Sequence, residues 1–297
     1  MILLLSNGNP IRGDLIGSAV LRQDLAPIPV TLEADIRADE SVERLLAKDE
    51  TISLASGEPL RIIKSQRVAA RQAQGAHEVA MMKITAMLDA CHAVAFVRSR
   101  AVIKENVSLS ALYRACGASL RSVEADFQVP RFCCPIGDTP SFHVARAIQE
   151  EGGAVRWKSG KLQFTRLEDM FRQKPVITLP SNASDELDSG FLERHEVPWF
   201  FSLDEAGSLV FGNRDKPRAA RFSPFKDVRR LRGMTSSLIH RKTINVNMDL
   251  RLSAGERVDF AGGDPLCIVT AAHVFEGGAS GGAPNSYSRL WLSSLEK

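Results

Sequence analysis

Thr270-Ala-Ala-His273 is followed by Gly278-Ala-Ser280-Gly-Gly282, so an imidazole and a hydroxyl stand seven residues apart. These are the residue types of a general base and a nucleophile. Nucleophilic hydrolysis needs the base held within hydrogen-bond reach of the nucleophile and oriented by a third group. Here the serine sits in a glycine-rich loop, and the short interval leaves no room for an acid on a scaffold of its own. A strand followed by a surface loop explains the same residues without chemistry. The histidines His77, His92, His143, His195, His240 and His273 show neither an i, i+4 pair nor another ligand spacing. His195 stands at the end of a helical pattern, where an imidazolium gains from the helix dipole.

The cysteines point the same way. Cys91, Cys116, Cys133, Cys134 and Cys267 are odd in number and include no C-x-x-C pair. Adjacent Cys133 and Cys134 suit neither a loop disulfide nor zinc. They read as reduced, mostly buried small hydrophobes. Asp204-Glu205 and Glu168-Asp169 are turn and surface charges, and nothing brings Asp188 and Glu193 to one cleft as glycosidase carboxylates require. No phosphate-binding glycine loop is present. The sequence thus predicts no catalytic residue, no metal site and no cofactor.

One segment remains with two readings. Residues 214–232 carry Arg214, Lys216, Arg218, Arg221, Lys226, Arg229, Arg230 and Arg232 against Asp215 and Asp227. With Phe222 and Phe225 interleaved, the run resembles a stacking and charge surface for nucleic acid. Alternatively it is a solvated connector, or a positive rim facing an acidic partner subunit. The formal net charge of +3 is mild, and no nucleic-acid motif accompanies the run, which favours the structural reading.

The elements that would position these residues are mostly strands. A chain of 297 residues suggests two or three compact units. Its 44% hydrophobic and 25% charged residues are those of an ordinary folded protein. Met1–Leu5 is apolar but stops at Asn7-Gly8, too short for a signal peptide, and reads as a buried strand. No apolar run approaches the ~20 residues that span a bilayer, so no membrane insertion is expected. Val30–Arg37 alternates, with Val30, Leu32, Ala34 and Ile36 on one face. Thr51–Ala55 and Leu60–Lys64 flank a turn at Ser56–Pro59, and Glu78–Leu88 continues the pattern. A small closed barrel or a sandwich fits this spacing.

From about residue 106 the texture changes. Ser108 caps a helix ending at Gly117, and Thr139-Pro140 opens another with Phe142, Ala145 and Ile148 inward. A hairpin follows with Val155, Trp157, Leu162 and Phe164 on one side. Ser184 caps a third helix ahead of an aromatic hairpin at Val197–Phe211. Helix-then-hairpin therefore recurs. After the basic run, Asn245–Leu252, Cys267–Phe275 and Arg289–Leu292 read as strands, with a glycine-rich loop at 276–284.

The most informative stretch is Phe191-Leu-Glu-Arg-His-Glu-Val-Pro-Trp-Phe-Phe201, then Ser202-Leu-Asp-Glu-Ala-Gly-Ser-Leu-Val-Phe-Gly-Asn213. Leu192, Glu193, Arg194, Trp199, Phe200, Phe201, Asp204, Gly207, Leu209 and Val210 match a recurring pattern of helix, aromatic pair, acidic turn and apolar strand. In this the chain resembles the bacteriophage baseplate hub proteins, a group that includes phage late control protein D and the N-terminal hub of the type VI secretion spike protein VgrG. The resemblance implies an α+β, β-rich fold in which two small β-barrel domains flank an α/β region of helix–hairpin elements. The changes of texture near residue 106 and at the basic connector divide the chain at 1–105, 106–212 and 213–297. The resemblance further implies a homotrimer joining a hexameric tail tube to a threefold central spike around a DNA exit channel. Such a protein has a structural and not a catalytic role, contacts other baseplate proteins, and resides in the virion after assembly in the host cytoplasm. Its interface candidates are Trp157, Phe191, Leu192, Trp199, Phe200, Phe201, Arg229, Arg230 and Arg232. No fused spike or lysozyme domain is expected. The alternative is a nucleic-acid-binding module using 214–232.

Overall fold

The structure, a computed structural model, describes residues 2–68, 80–180, 198–214, 219–277 and 284–296. The expected helix after Ser184, with Phe191, Leu192 and His195, lies outside the described residues, as do His77 and Ser280.

The alternating segments at the start of the chain become strands β1 (Leu3–Leu4), β2 (Ile16–Asp24) and β3 (Val30–Ala38), then α1 (Glu40–Leu45), β4 (Thr51–Leu54), β5 (Pro59–Val68) and β6 (Ala80–Leu88). Val30, Leu32, Ala34 and Ile36 are all buried, as period-2 patterning requires. Asp39 caps α1 by accepting from the backbone N–H groups of Ser41 and Val42.

The middle of the chain runs β7 (Val102–Ser108), α2 (Leu109–Ala115), β8 (Val123–Glu124), β9 (Gln128–Cys134), α3 (Pro140–Glu150), β10 (Gly153–Lys158), β11 (Lys161–Arg166), α4 (Leu167–Arg172) and β12 (Ile177–Leu179). There follow β13 (Trp199–Leu203), β14 (Leu209–Phe211), β15 (Ala220–Phe222) and α5 (Val228–Thr235). The chain closes with β16 (Ser237–Asn247), β17 (Arg257–Phe260), β18 (Leu266–Glu276) and β19 (Asn285–Glu296).

The expected β-rich α+β architecture is present, but among the described residues none of the sheets closes into a barrel. Instead the strands of the first and last segments join in one 11-stranded sheet. The physical reason lies in β18. One edge pairs with β19, while the other is shared between β17 at Leu266–Cys267 and β2 at Thr270–Glu276. Hydrogen bonds that could have closed each half are thereby used to join the halves. Thr270 Oγ1 donates to Asp24 Oδ1 at 2.6 Å across this seam. β-Bulges at Ile16/Ser18, Ile62/Lys64, His240/Lys242 and Ile268/Thr270 add local twist and bend.

Three smaller corrections concern local signals. Thr139 precedes α3, yet its side chain makes no capping bond, and Pro140 alone sets the helix start. Phe142 is 69% exposed, whereas Val144, Ala147 and Ile148 form the buried face of that helix. The expected strand through Leu252 ends at Asn247 and gives way to a turn, with Leu252 buried and Leu250 exposed. By contrast Ser108 caps α2 as expected, accepting from Ala111 N–H. Four of the five cysteines are buried and Cys133 is exposed, all free thiols.

Candidate interaction surface

Trp199, Phe200 and Phe201 enter a small three-stranded sheet ordered β14-β13-β15, with β14 antiparallel and β15 parallel to β13. Asp204 fixes the β13–β14 turn, its Oδ1 accepting from the N–H groups of Ala206 and Ser208. Period-2 alternation gives the sheet two faces. On one, Phe201 stands opposite both Phe211 and Phe222. Its ring lies 6.3 Å from Phe211 and 5.4 Å from Phe222, and Trp199 lies 5.8 Å from Phe211. The Arg214 guanidinium sits over Phe211 at 4.4 Å and Trp199 at 5.6 Å, within cation–π range. Among the described residues the edge of this aromatic face is exposed. Phe222 is 52% exposed, and Leu203 and Leu209 at its end are exposed as well. Beside it Phe225, held at φ 59°, is 78% exposed. A bulky residue at positive φ is strained and costs on the order of 1 kcal/mol or more.

The opposite side of the sheet rests on α5. Ser202 is fully buried and accepts from Lys226 N–H at 3.2 Å, and Leu231 is fully buried beneath β13. The approach is close enough that a Cβ on Gly212 would lie 2.8 Å from the Leu231 carbonyl carbon. Two residues further along α5, a Cβ on Gly233 would meet the Glu150 carbonyl oxygen at 2.8 Å and Gly152 N at 2.9 Å. Only glycine permits that crossing of α5 over the end of α3.

The crossing explains the basic run. Glu150 and Glu151 are buried at the C-terminal end of α3, where carboxylates are disfavoured by the helix dipole and by burial. The basic residues next to them compensate. Lys226 Nζ lies 2.6 Å from Glu150 Oε2. Arg229 forks onto Glu151, with its Nη2 at 2.9 Å from Oε1, and Arg230 Nε reaches the same Oε1 at 3.1 Å. Burial alone would raise the Glu151 carboxyl, but hydrogen bonds and charge from Arg229 and Arg230 override it and hold it below the usual carboxylate range. The bond to Glu151 pushes Arg229 up in turn. Part of the segment is therefore built into the fold: 220–222 form β15, 228–232 begin α5, and Lys226, Arg229 and Arg230 pair with Glu150 and Glu151. Arg232 stays exposed at the surface near Glu168 and Asn213. Sequence reading missed Glu150 and Glu151. Their signal was an acidic pair ending a helix ahead of a basic helix of matching charge.

Trp157 stands apart from the aromatic sheet. It is half-buried on the β10–β11 hairpin, opposite Leu162 and against the main core. His273, the candidate base, is fully buried, its Nδ1 2.8 Å from Ser288 Oγ, and burial pushes its pKa down to about 4. Ser288 also accepts from Asp249 N–H, so this hydroxyl is a structural link between strand and turn. Among the described residues no cluster of three or more His, Cys, Asp or Glu is placed to hold a metal ion, and no helix is long and apolar enough to cross a membrane.

This architecture is shared with solved phage tail proteins, with a component of the type VI secretion system and with a Francisella PdpA-VgrG complex. The tail protein of Neisseria meningitidis MC58 superposes with a TM-score of 0.62 at 11% identity, over 99% of this chain and 95% of that one. The 43 kDa tail protein of prophage MuSo2 from Shewanella oneidensis follows at 0.59 and 11% identity, over 99% and 97% of the two chains. An E. coli component of the type VI secretion system, described as structurally similar to the T4 bacteriophage tail proteins gp27 and gp5, gives 0.55 at 9% identity over 95% and 74%. No protein-family model matches the sequence, and no curated protein does.

Proposed function

We propose that this chain is a structural baseplate hub of a tailed phage or a phage-derived tail, acting without catalysis. Three copies form a ring that joins a hexameric tail tube to a threefold central spike and lines the DNA exit channel. Its partners are its own copies, the tube protein, the spike protein and other baseplate proteins, and its place is the tail of the virion after assembly in the host cytoplasm. The reading divides the chain at 1–105, 106–212 and 213–297. The observation that carries it is likeness of fold along nearly the whole length of both this chain and a phage tail protein. The open aromatic face on β13–β15 supports it, because obligate assembly interfaces bury large apolar areas. Trp199 and Phe201 on that face are the foremost interface residues, with exposed Arg232 beyond it, and the proposal extends to Phe191 and Leu192. The proposal also keeps Trp157, Phe200, Arg229 and Arg230 as interface candidates.

The nucleic-acid reading loses ground to a specific observation: Lys226, Arg229 and Arg230 are engaged by Glu150 and Glu151. Light scattering of the purified chain at low and moderate salt tests both. The hub reading expects a salt-insensitive species near three times 32.5 kDa, forming threefold rings by electron microscopy. A monomer that shifts on adding DNA and releases it at moderate salt would overturn it in favour of the alternative.

A further inference from the structure

A cavity of about 340 Å³ lies where the β4–β5 turn, the tip of the β10–β11 hairpin and the turn after β16 meet. Leu21, Val30, Leu54 and Leu250 give it apolar walls. Three polar atoms of its lining residues are buried without a hydrogen-bond partner: Gln23 Oε1, Glu58 Oε2 and Trp157 Nε1. The other charges around it are matched. Lys158 and Arg156 bind Glu256 at 2.9 and 3.1 Å, and Arg251 forks onto Asp249. Glu58 is the acid of this cavity without a cation among the described residues.

A carboxylate oxygen and an amide oxygen are both acceptors, and leaving either buried and unpaired is costly. A donor-rich cation is the group that acceptors of this kind call for. Guanidinium offers five N–H groups in a rigid fork, and its aliphatic stem suits leucine walls. The indole N–H of Trp157 is the complementary donor, fit for a peptide carbonyl beside that side chain. At the mouth Ile2 and Leu250 are 57% and 54% exposed, apolar surface that a polypeptide covers and a free amino acid does not. We infer that this cavity docks a basic side chain, arginine above all, presented by a partner polypeptide with apolar residues on either side of it. The inference goes beyond the hub reading and does not depend on it, since the single chain carries the whole cavity.

The test is the indole N–H resonance of Trp157 in the ¹⁵N-labelled full chain, assigned with Trp157→Phe. The protein is titrated with acetyl-Leu-Arg-Leu-amide and, separately, with acetyl-Leu-Gln-Leu-amide. A saturable shift is expected with the arginine peptide, weakened about tenfold or more in the glutamine peptide and in Glu58→Gln. If Glu58→Gln fails to fold, Gln23→Leu serves in its place. A resonance that also moves on diluting the protein alone would support the cavity and name another copy as the source of the basic side chain. No shift into the millimolar range, an equal response to both peptides, or a response unchanged in the folded variant would each overturn the inference. A trimer failing this test would leave the hub reading intact, and a monomer passing it would leave the cavity standing.

Discussion

The two hairpins β10–β11 and β13–β14 are built alike and end differently. Each is a short antiparallel pair with an apolar row on one face, and each gains a short parallel strand, β8 beside β11 and β15 beside β13. In the first, Val155, Leu162 and Phe164 are buried in the main core, and Phe164 meets Phe127 at 4.6 Å. In the second, the equivalent row of Trp199, Phe201 and Phe211 is joined by half-exposed Phe222 and faces outward. Alternation specifies that a face exists. What covers it is decided by the rest of the fold, and over the second hairpin the Arg214 guanidinium lies against Phe211 and Trp199.

The contrast has consequences for stability, and the largest should fall on the covered hairpin. Phe164→Ala removes a ring that is 6% exposed and should cost about 3–5 kcal/mol, read as a shift in denaturant midpoint at unchanged slope. A cost below about 1 kcal/mol would mean that the first hairpin is no better packed than the second.

Burial also governs ionisation on the covered side of the molecule. His273 on β18 has its pKa pushed from 6.5 to about 4 by burial. Above pH 6.5 both folded and unfolded chains hold the ring neutral. Between 6.5 and about 4 the unfolded chain takes up a proton that the folded chain refuses, so stability falls as pH falls through that window. The loss is on the order of 3 kcal/mol and levels off below the folded value. Burial pushes His240 down too, in the same direction. Urea titrations at stepped pH should show this fall and a flatter profile in His273→Gln. An identical profile in that variant would remove His273 as the cause.

Between the hairpins lies the clamp of α5 on α3. Glu151→Gln leaves Arg229 and Arg230 facing a neutral group and should cost about 2–3 kcal/mol. Arg229→Ala should cost about 1 kcal/mol or less, because that side chain is 52% exposed and Arg230 still holds the carboxylate. Equal costs would show that the arginines act singly. This clamp ties the aromatic sheet to the body, so the ratio also reports how firmly the second hairpin is held.

How much of this was legible in the sequence varies with the range of the interaction. The strand at Val30–Ala38, the Ser108 cap and the turn at Asp204–Gly207 follow from neighbours a few residues apart, and the structure has them. The joining of β2 to β18 was not legible, because a strand's pattern names its buried face and says nothing of which edge will meet it. Phe142 was misplaced inward for a similar reason: an apolar residue near the start of a helix can serve a surface as well as a core. The basic run was seen, but its meaning needed Glu150 and Glu151, more than 70 residues away, brought under it by two glycines. The cavity around Glu58 draws on three distant turns and left no local signal at all.

The smallest change in stability should accompany the most telling change in behaviour. Phe222→Ser, with Trp199→Ser as a second probe, alters the open face and leaves the α5 side of the sheet untouched. An exposed aromatic in a cross-strand row contributes about 0.2–1 kcal/mol, so the denaturant midpoint should barely move. If that face is an assembly surface, however, the same residue becomes part of a desolvated interface centre, where truncation typically costs about 2 kcal/mol or more of association free energy. Light scattering should then show these variants losing the trimer while their circular dichroism and midpoint stay those of the parent. If instead Phe222→Ser destabilises as severely as Phe164→Ala, the second hairpin is covered within the single chain and the two hairpins are alike after all. If it changes neither stability nor mass, the open face is not where copies meet, and the contact between them must be sought on the exposed Ile103, Ile136 and Phe142 near β7, β9 and α3.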